Sequence, residues 1–351
     1  MTDQNMLVYA RIINRLYFVW EDYSLLDDIL PHWDELKDTL DEADAPYDKA
    51  ETLLNIARYH DTQVEYEESK RYLDEALALI KDDETEEAQY ILTHIETMRG
   101  LYFYRAFDDA QARSIWEVAL ERAGRIPEEG QRRERQATLR KNLARLSMIE
   151  GNIDEACEHL EDGIKAIKGY NDALEAELHG LYGEVEAAVD NLDKAKSHFE
   201  DGLSLTTETE NPAQHCNSLS DLGNLMLMMA DYSQAETYFV RGLRILDRIV
   251  LPKTRSLILR NIGDLKNQMK EPDEALKYLE EALEIDESEN KPDPDAICGD
   301  KIYMANSYFL KDDSEKAKSL LEEIHELTKK HNLPRREKQR EEILANPPDA
   351  L

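Results

Sequence analysis

Apolar positions along this chain fall on a helical rhythm and nowhere on an alternating one. In the stretch LSDLGNLMLMMADYSQAETYFVRGLRIL, Leu222, Gly223, Met226 and Ala230 recur at helical spacing, and Ala235, Phe239, Gly242 and Leu243 repeat the pattern after a break at Asp231 and Tyr232. That spacing predicts two amphipathic helices joined by a short turn, with small residues where the helices cross. A side chain larger than methyl at Gly223 or Ala235 would push them apart.

Variants of this unit recur along the chain. A small residue opens each second helix, followed four and seven positions later by a bulky and then a small residue, from Ser69, Leu73 and Ala76 to Ala275, Leu279 and Ala282. A degraded copy follows at Ala317, Leu321 and Ile324, and successive anchors lie 39 to 44 residues apart. Twelve residues before each anchor lies the small residue of a first helix: Ala57, Gly100, Ala144, Gly183, Gly223, Gly263 and Ala305. Upstream, Asp22 to Leu26 copies the register of Asp231 to Ala235, and Leu26, Leu30 and Trp33 fill the anchor slots with large residues, as a looser terminal cap would. Pro212 and Pro252 suit first helical turns, where a missing N–H costs nothing. The reading is all-α, with about eight helical pairs. A degenerate pair covers 1–49, seven repeats cover 50–331, and a polar tail covers 332–351 that lacks a packing face, so that cutting after Leu333 should leave the array folded.

The phrases NLARLSMIEGNIDEA (142–156), DLGNLMLMMADYSQA (221–235) and NIGDLKNQMKEPDEA (261–275) resemble tetratricopeptide repeats. The long step is similar to the variety in kinesin light chains, Leu-Gly-Asn polarity adaptors and bacterial peptide-sensing regulators. The resemblance covers roughly residues 50–325 and implies a right-handed superhelical solenoid with a concave groove. It also implies a non-catalytic adaptor that holds a peptide or partner segment there. The alternative is a regulator controlled by a bound peptide or ligand, although only about 50 residues precede the first good repeat, where such regulators carry an output module.

Composition narrows the partners. The 351 residues carry 76 acidic and 43 basic side chains, a formal charge of −33 that repels phosphate backbones and anionic lipid. Nucleic acid and membrane are therefore not expected. Cys157, Cys216 and Cys298 are scattered singletons, which suits a reducing compartment. The N-terminus reads as neither signal peptide nor span, and the cytoplasm is the expected location.

No phosphate loop, His-Glu-x-x-His, paired Cys-x-x-Cys or Gly-x-Ser-x-Gly occurs, so no catalytic residue and no cofactor are expected. The histidines, among them His94, His159, His179 and His198, are spread so that spacing alone enforces no metal site, and none is expected. Asn55, Asn142 and Asn261 share one slot, two before the small residue, where bonding to a neighbouring turn is the expected role.

The family pattern aims first-helix positions −6, −3, +1, +4 and +5 from the small residue at the groove. Applied here it implies Arg58, Arg105, Lys141 and Arg145 in a basic first half. In an amide-rich second half it implies Asn224, Leu227, Arg260, Asn267 and Asn306. These are the candidate partner-binding residues, and the cations would favour a partner with an acidic segment. The competing reading is that the cations pair with acids on adjacent helices. The basic run from Gln131 to Arg135 reads either as a docking point for an acidic segment or as a solvated helix start.

Overall fold

The computed structural model describes residues 3–15, 26–42, 44–288 and 292–348. Among these residues the chain is helical without strands, in 17 helices. It divides into two compact units, residues 1–146 and 147–351.

The first unit holds α1 (Asp3–Arg15), α2 (Leu26–Glu42), α3 (Pro46–Thr62), α4 (Tyr66–Ile80), α5 (Glu86–Arg105), α6 (Asp109–Ala123) and most of α7 (Glu129–Glu150). Residues 22–25 of the predicted cap lie outside the described residues. Trp33, Leu36 and Leu40 of α2 are buried with Ala10, Leu53, Ile56, Leu73 and Leu92 in one core. Asn14 fastens α1 to α3 through Thr52, donating from Nδ2 at 3.1 Å.

The second unit runs through α8 (Ile153–Ile167), α9 (Asp172–Ala188), α10 (Leu192–Ser204), α11 (Pro212–Met228), α12 (Tyr232–Leu246) and α13 (Pro252–Gln268). It continues with α14 (Pro272–Ser288), α15 (Pro294–Leu310), α16 (Ser314–His331) and α17 (Pro334–Ala345). Pro212, Pro252, Pro272 and Pro294 each begin a helix. In both units consecutive helices pack as antiparallel pairs.

The anchors do what their spacing requires. A Cβ on Gly223 would lie 2.4 Å from the Phe239 ring, one on Gly183 2.4 Å from Phe199, and one on Gly263 2.5 Å from Leu279. Gly100 leaves the same room for Trp116, whose Nε1–H donates to the Thr97 carbonyl at 3.0 Å. At these four glycines the first helix is thus the seat for the bulky residue of the second, and even a methyl group there overpacks the crossing.

One shared feature of the pairs was not legible. Seven turns within pairs each place a residue in the left-handed region: Val64 (60°), Phe107 (64°), Gly151 (81°), Asp190 (63°), Ala230 (56°), Lys270 (63°) and Asp312 (60°). The next residue's N–H then returns to a carbonyl of the first helix, as Glu65 does to His60 at 2.9 Å and Glu271 to Lys266 at 2.8 Å. This closes the helix end. Glycine is the residue such a turn favours, yet it occupies this slot at position 151 alone of the seven.

The C-terminal segment departs from its expected lack of a packing face. Arg336 of α17 grips Asp295 with two bonds of 2.9 and 2.7 Å. Glu337 accepts from Thr328 at 2.7 Å and meets His325 at 2.8 Å, while Leu333 and Ile343 pack on the core around Phe309, Leu321 and Ile324. The packing runs through polar side chains, which a search for an apolar stripe passes over.

Candidate interaction surface

Within each unit the first helices of successive pairs lie side by side: α3 with α5 in the first, and α9, α11, α13 and α15 in the second. Polar side chains stitch these helices together. Asn261 donates to the Ser220 hydroxyl at 2.7 Å, and Asn55 to the Asn14 carbonyl at 3.3 Å, so both serve the structural role expected of their slot. Slots that are spent on such bonds are not open to a partner.

The candidate residues separate on this criterion. Asn267 is buried, donates to the Tyr303 carbonyl at 3.1 Å and accepts from Ser307 at 2.7 Å. Leu227, only 5% exposed, belongs to the core. Its neighbour Met228 is 59% exposed and occupies the open position. Arg105 pairs with Asp61 and lies 4.5 Å from the Tyr66 ring centroid. Asn306 is half-buried with an Oδ1 that finds no hydrogen-bond partner among the described residues. Asn224 and Arg145 are exposed, Lys141 half-exposed. Glu184, Asn224, Gln268 and Met228 are exposed on the second unit's first helices, with Gln268 donating to Asp264 at 3.1 Å.

Arg260 is held from both sides. It donates to Asp300 at 2.5 Å, to Asp286 at 3.0 Å and to the Ala296 carbonyl at 3.3 Å, and Ser256 adds a 2.6 Å bond to Asp286. Burial pushes the Asp300 carboxyl up to about 7 against the pull of Arg260. Its second oxygen is buried without a hydrogen-bond partner among the described residues. Here the internal-pairing reading of the cations holds.

The first unit contains a different arrangement. Arg58 donates to Asn55 at 3.2 Å and contacts His94 Nδ1 at 2.7 Å. Burial, and then the charges of Arg135 and Arg58, push His94 well below its usual range, so the ring is neutral. Its Nδ1 then accepts from Arg58, which places the proton on Nε2, a buried atom with no hydrogen-bond partner among the described residues. Arg135, recessed but still partly exposed, has its pKa lowered by burial first and by Arg58 second. It makes no hydrogen bond or ion pair among the described residues. Tyr90, packed edge-on to His94 at 4.8 Å, has its phenol pKa raised by burial. His94 occupies the projected −6 slot, and Arg135 closes the basic run that the sequence singles out.

Three tetratricopeptide repeat models match the chain, at residues 174–248, 259–289 and 50–82, so the repeats read from the anchors are tetratricopeptide repeats over those residues. No curated protein matches it. Among solved structures, the apo form of the quorum sensor NprR from B. thuringiensis is 14% identical with a TM-score of 0.65, covering 93% of this chain and 87% of that one. A Rap protein complexed with Competence and Sporulation Factor is 13% identical with a TM-score of 0.59, covering 97% and 99%. Apo RapI is 11% identical with a TM-score of 0.59, covering 91% and 87%. At these identities the likeness is one of fold. No helix among the described residues is long and apolar enough to cross a membrane.

Proposed function

We propose that this chain is a non-catalytic protein-interaction adaptor that takes an extended segment of a partner along the first helices of its first unit, the second unit offering a surface of its own. An acidic group of that segment docks at Arg135 in the first unit. The observation that carries this reading is Arg135 itself, a recessed guanidinium facing the like charge of Arg58 with no ion pair among the described residues. A desolvated cation held near another is costly, and an incoming carboxylate relieves both. In the second unit, Asn224 offers the donor and acceptor that a peptide backbone needs, and Met228 an adaptable apolar contact. Nucleic acid is disfavoured by the charge of −33, and the three free cysteines suit a reducing, cytoplasmic setting.

The test is a pull-down with wild type beside Arg135→Gln, followed by affinity measurements for the captured segment. Losing one charge-assisted contact of about 1.5–3 kcal/mol should weaken binding by about tenfold to a hundredfold and flatten its salt dependence, without lowering the melting temperature. Binding that is indifferent to Arg135→Gln refutes the acidic-group assignment. A variant that melts much lower makes Arg135 structural.

The alternative, a regulator whose state is set by a bound peptide, draws support from the same fold, since the similar structures include one described as a quorum sensor and one complexed with Competence and Sporulation Factor. Peptide binding that changes the affinity for a second protein would favour it.

A further inference from the structure

Residues that the chain keeps apart meet between α9 and α10. Gly202 opens the way: a Cβ there would lie 3.2 Å from the Ala176 carbonyl and 3.5 Å from the His179 Cβ, so α10 can approach directly beside His179. The His179 and His198 Nδ1 atoms are then 3.2 Å apart, and Asp201 Oδ2 lies 4.0 Å from His179 Nδ1. One donor atom from each of the three residues lies within 4.8 Å of the others. His198 and Asp201, three apart on one helix, share a face. The His198 ring is fixed by stacking on Tyr182 at 3.9 Å, and the Tyr182 hydroxyl is anchored on Glu161 at 3.0 Å.

The chemistry of this trio is that of a metal site. Burial pushes both imidazoles below their usual range. For His179 it outweighs the pull of Asp201 and Glu175, with Lys168 adding to it; for His198 it acts with the neighbouring ring and Lys194 against Asp201 and Glu186. Neutral imidazole is the ligating form. Two nitrogens, each about 2.0–2.1 Å from one tetrahedral ion, are about 3.3 Å apart, close to the spacing of this pair. The Asp201 side chain is 58% exposed and can swing toward the rings. We propose that His179, His198 and Asp201 bind a divalent first-row transition ion, zinc in preference to magnesium or calcium, through two imidazole nitrogens and one carboxylate, with the fourth position open to solvent. Nitrogen ligands exclude the hard cations, and a strongly acidic protein concentrates divalent ions around itself. This goes against the expectation of no metal, because the turn and Gly202 supply a convergence that the spacing does not. The ion would clamp one helical pair, independently of the interaction surface.

The test uses the full-length, metal-free chain titrated with Co2+. One Co2+ per chain is expected, with the visible bands of a four-coordinate ion, displaced by Zn2+ and unaffected by excess Mg2+. His198→Gln should abolish the bands, and Asp201→Asn should weaken binding about tenfold or more with the metal-free melting temperature unchanged. Absence of the bands in the wild type, or their survival in His198→Gln, overturns the site. Should His198→Gln fail to fold, the exposed Asp201→Asn decides, since unchanged Co2+ affinity there leaves only a hydrogen-bonded histidine pair.

Discussion

Arg135 and Arg260 are both recessed guanidinium groups on first helices, one in each unit, and their surroundings differ. Arg260 reaches two buried carboxylates, Asp286 and Asp300, on α14 and α15. Arg135 faces Arg58 and a neutral His94, with Tyr90 and the carboxylate of Glu134 acting weakly the other way and no ion pair among the described residues. Recessed cations on first helices therefore meet two kinds of surroundings. A cation supplied with carboxylates by the adjacent helices becomes part of the scaffold. Arg135, without an ion pair among the described residues, is the one proposed above to take a partner's carboxylate.

The largest effect should come from breaking the Arg260 clamp. Arg260→Met strands two buried carboxylates, and removing one partner of a buried pair costs about 3–5 kcal/mol. Urea unfolding at neutral pH measures it, and a loss below about 1 kcal/mol would mean that the clamp holds nothing.

Acid titration sharpens the same point. The Asp300 carboxyl, normal at 3.8 when unfolded, stands at about 7 when folded. Between these values the folded state holds the extra proton, so the stability this group contributes is full below pH 4 and is lost as pH rises through 7. Asp300→Asn should flatten that limb of the melting curve. The Glu337 carboxylate, lowered to about 2 by Arg340 ahead of Thr328 and His325, acts in the opposite sense: its hold on α17 is full above pH 4.5 and is lost as pH falls through 2. Glu337→Gln should therefore remove an acid-side loss and leave the neutral limb alone.

Next in size is Gly223→Ala, which drives a methyl group into the Phe239 ring. Overpacking costs about 1–3 kcal/mol, and Ala235→Gly in the same pair should not mimic it. An unchanged midpoint would contradict the seat-and-knob crossing.

Smaller, and of opposite sign, is Val64→Gly. The left-handed region costs an L-residue about 1–2 kcal/mol, most for a β-branched one, so relief should raise the melting temperature despite glycine's extra unfolded-state entropy. Gly151→Ala should lower it by a comparable amount.

The smallest stability change is expected for Arg135→Gln, within about 0.5 kcal/mol or slightly stabilising, because repulsion with Arg58 disappears. Set against Arg260→Met, that contrast is the comparison in its sharpest form.

The sequence determined the repeat, its register and its helix crossings, because a small residue facing a bulky one at fixed spacing is a local requirement of two helices packed at close range. Gly100, Gly183, Gly223 and Gly263 announce their partners from within the same pair. It also exposed the polar composition that left the last helix looking unpacked, but not the Asp295 that Arg336 finds 41 residues away. The tertiary structure alone decided which cations meet carboxylates within the chain. Arg260 meets its carboxylates 26 and 40 residues along the chain, and one helical turn more or less would separate them. It alone placed Val64 and Phe107 at left-handed turns, where closing the helix end outweighs local preference. Only the pairing of α9 with α10 brings His179 to His198 and Asp201. Packing registers are written in neighbours, whereas charge partners are chosen in space.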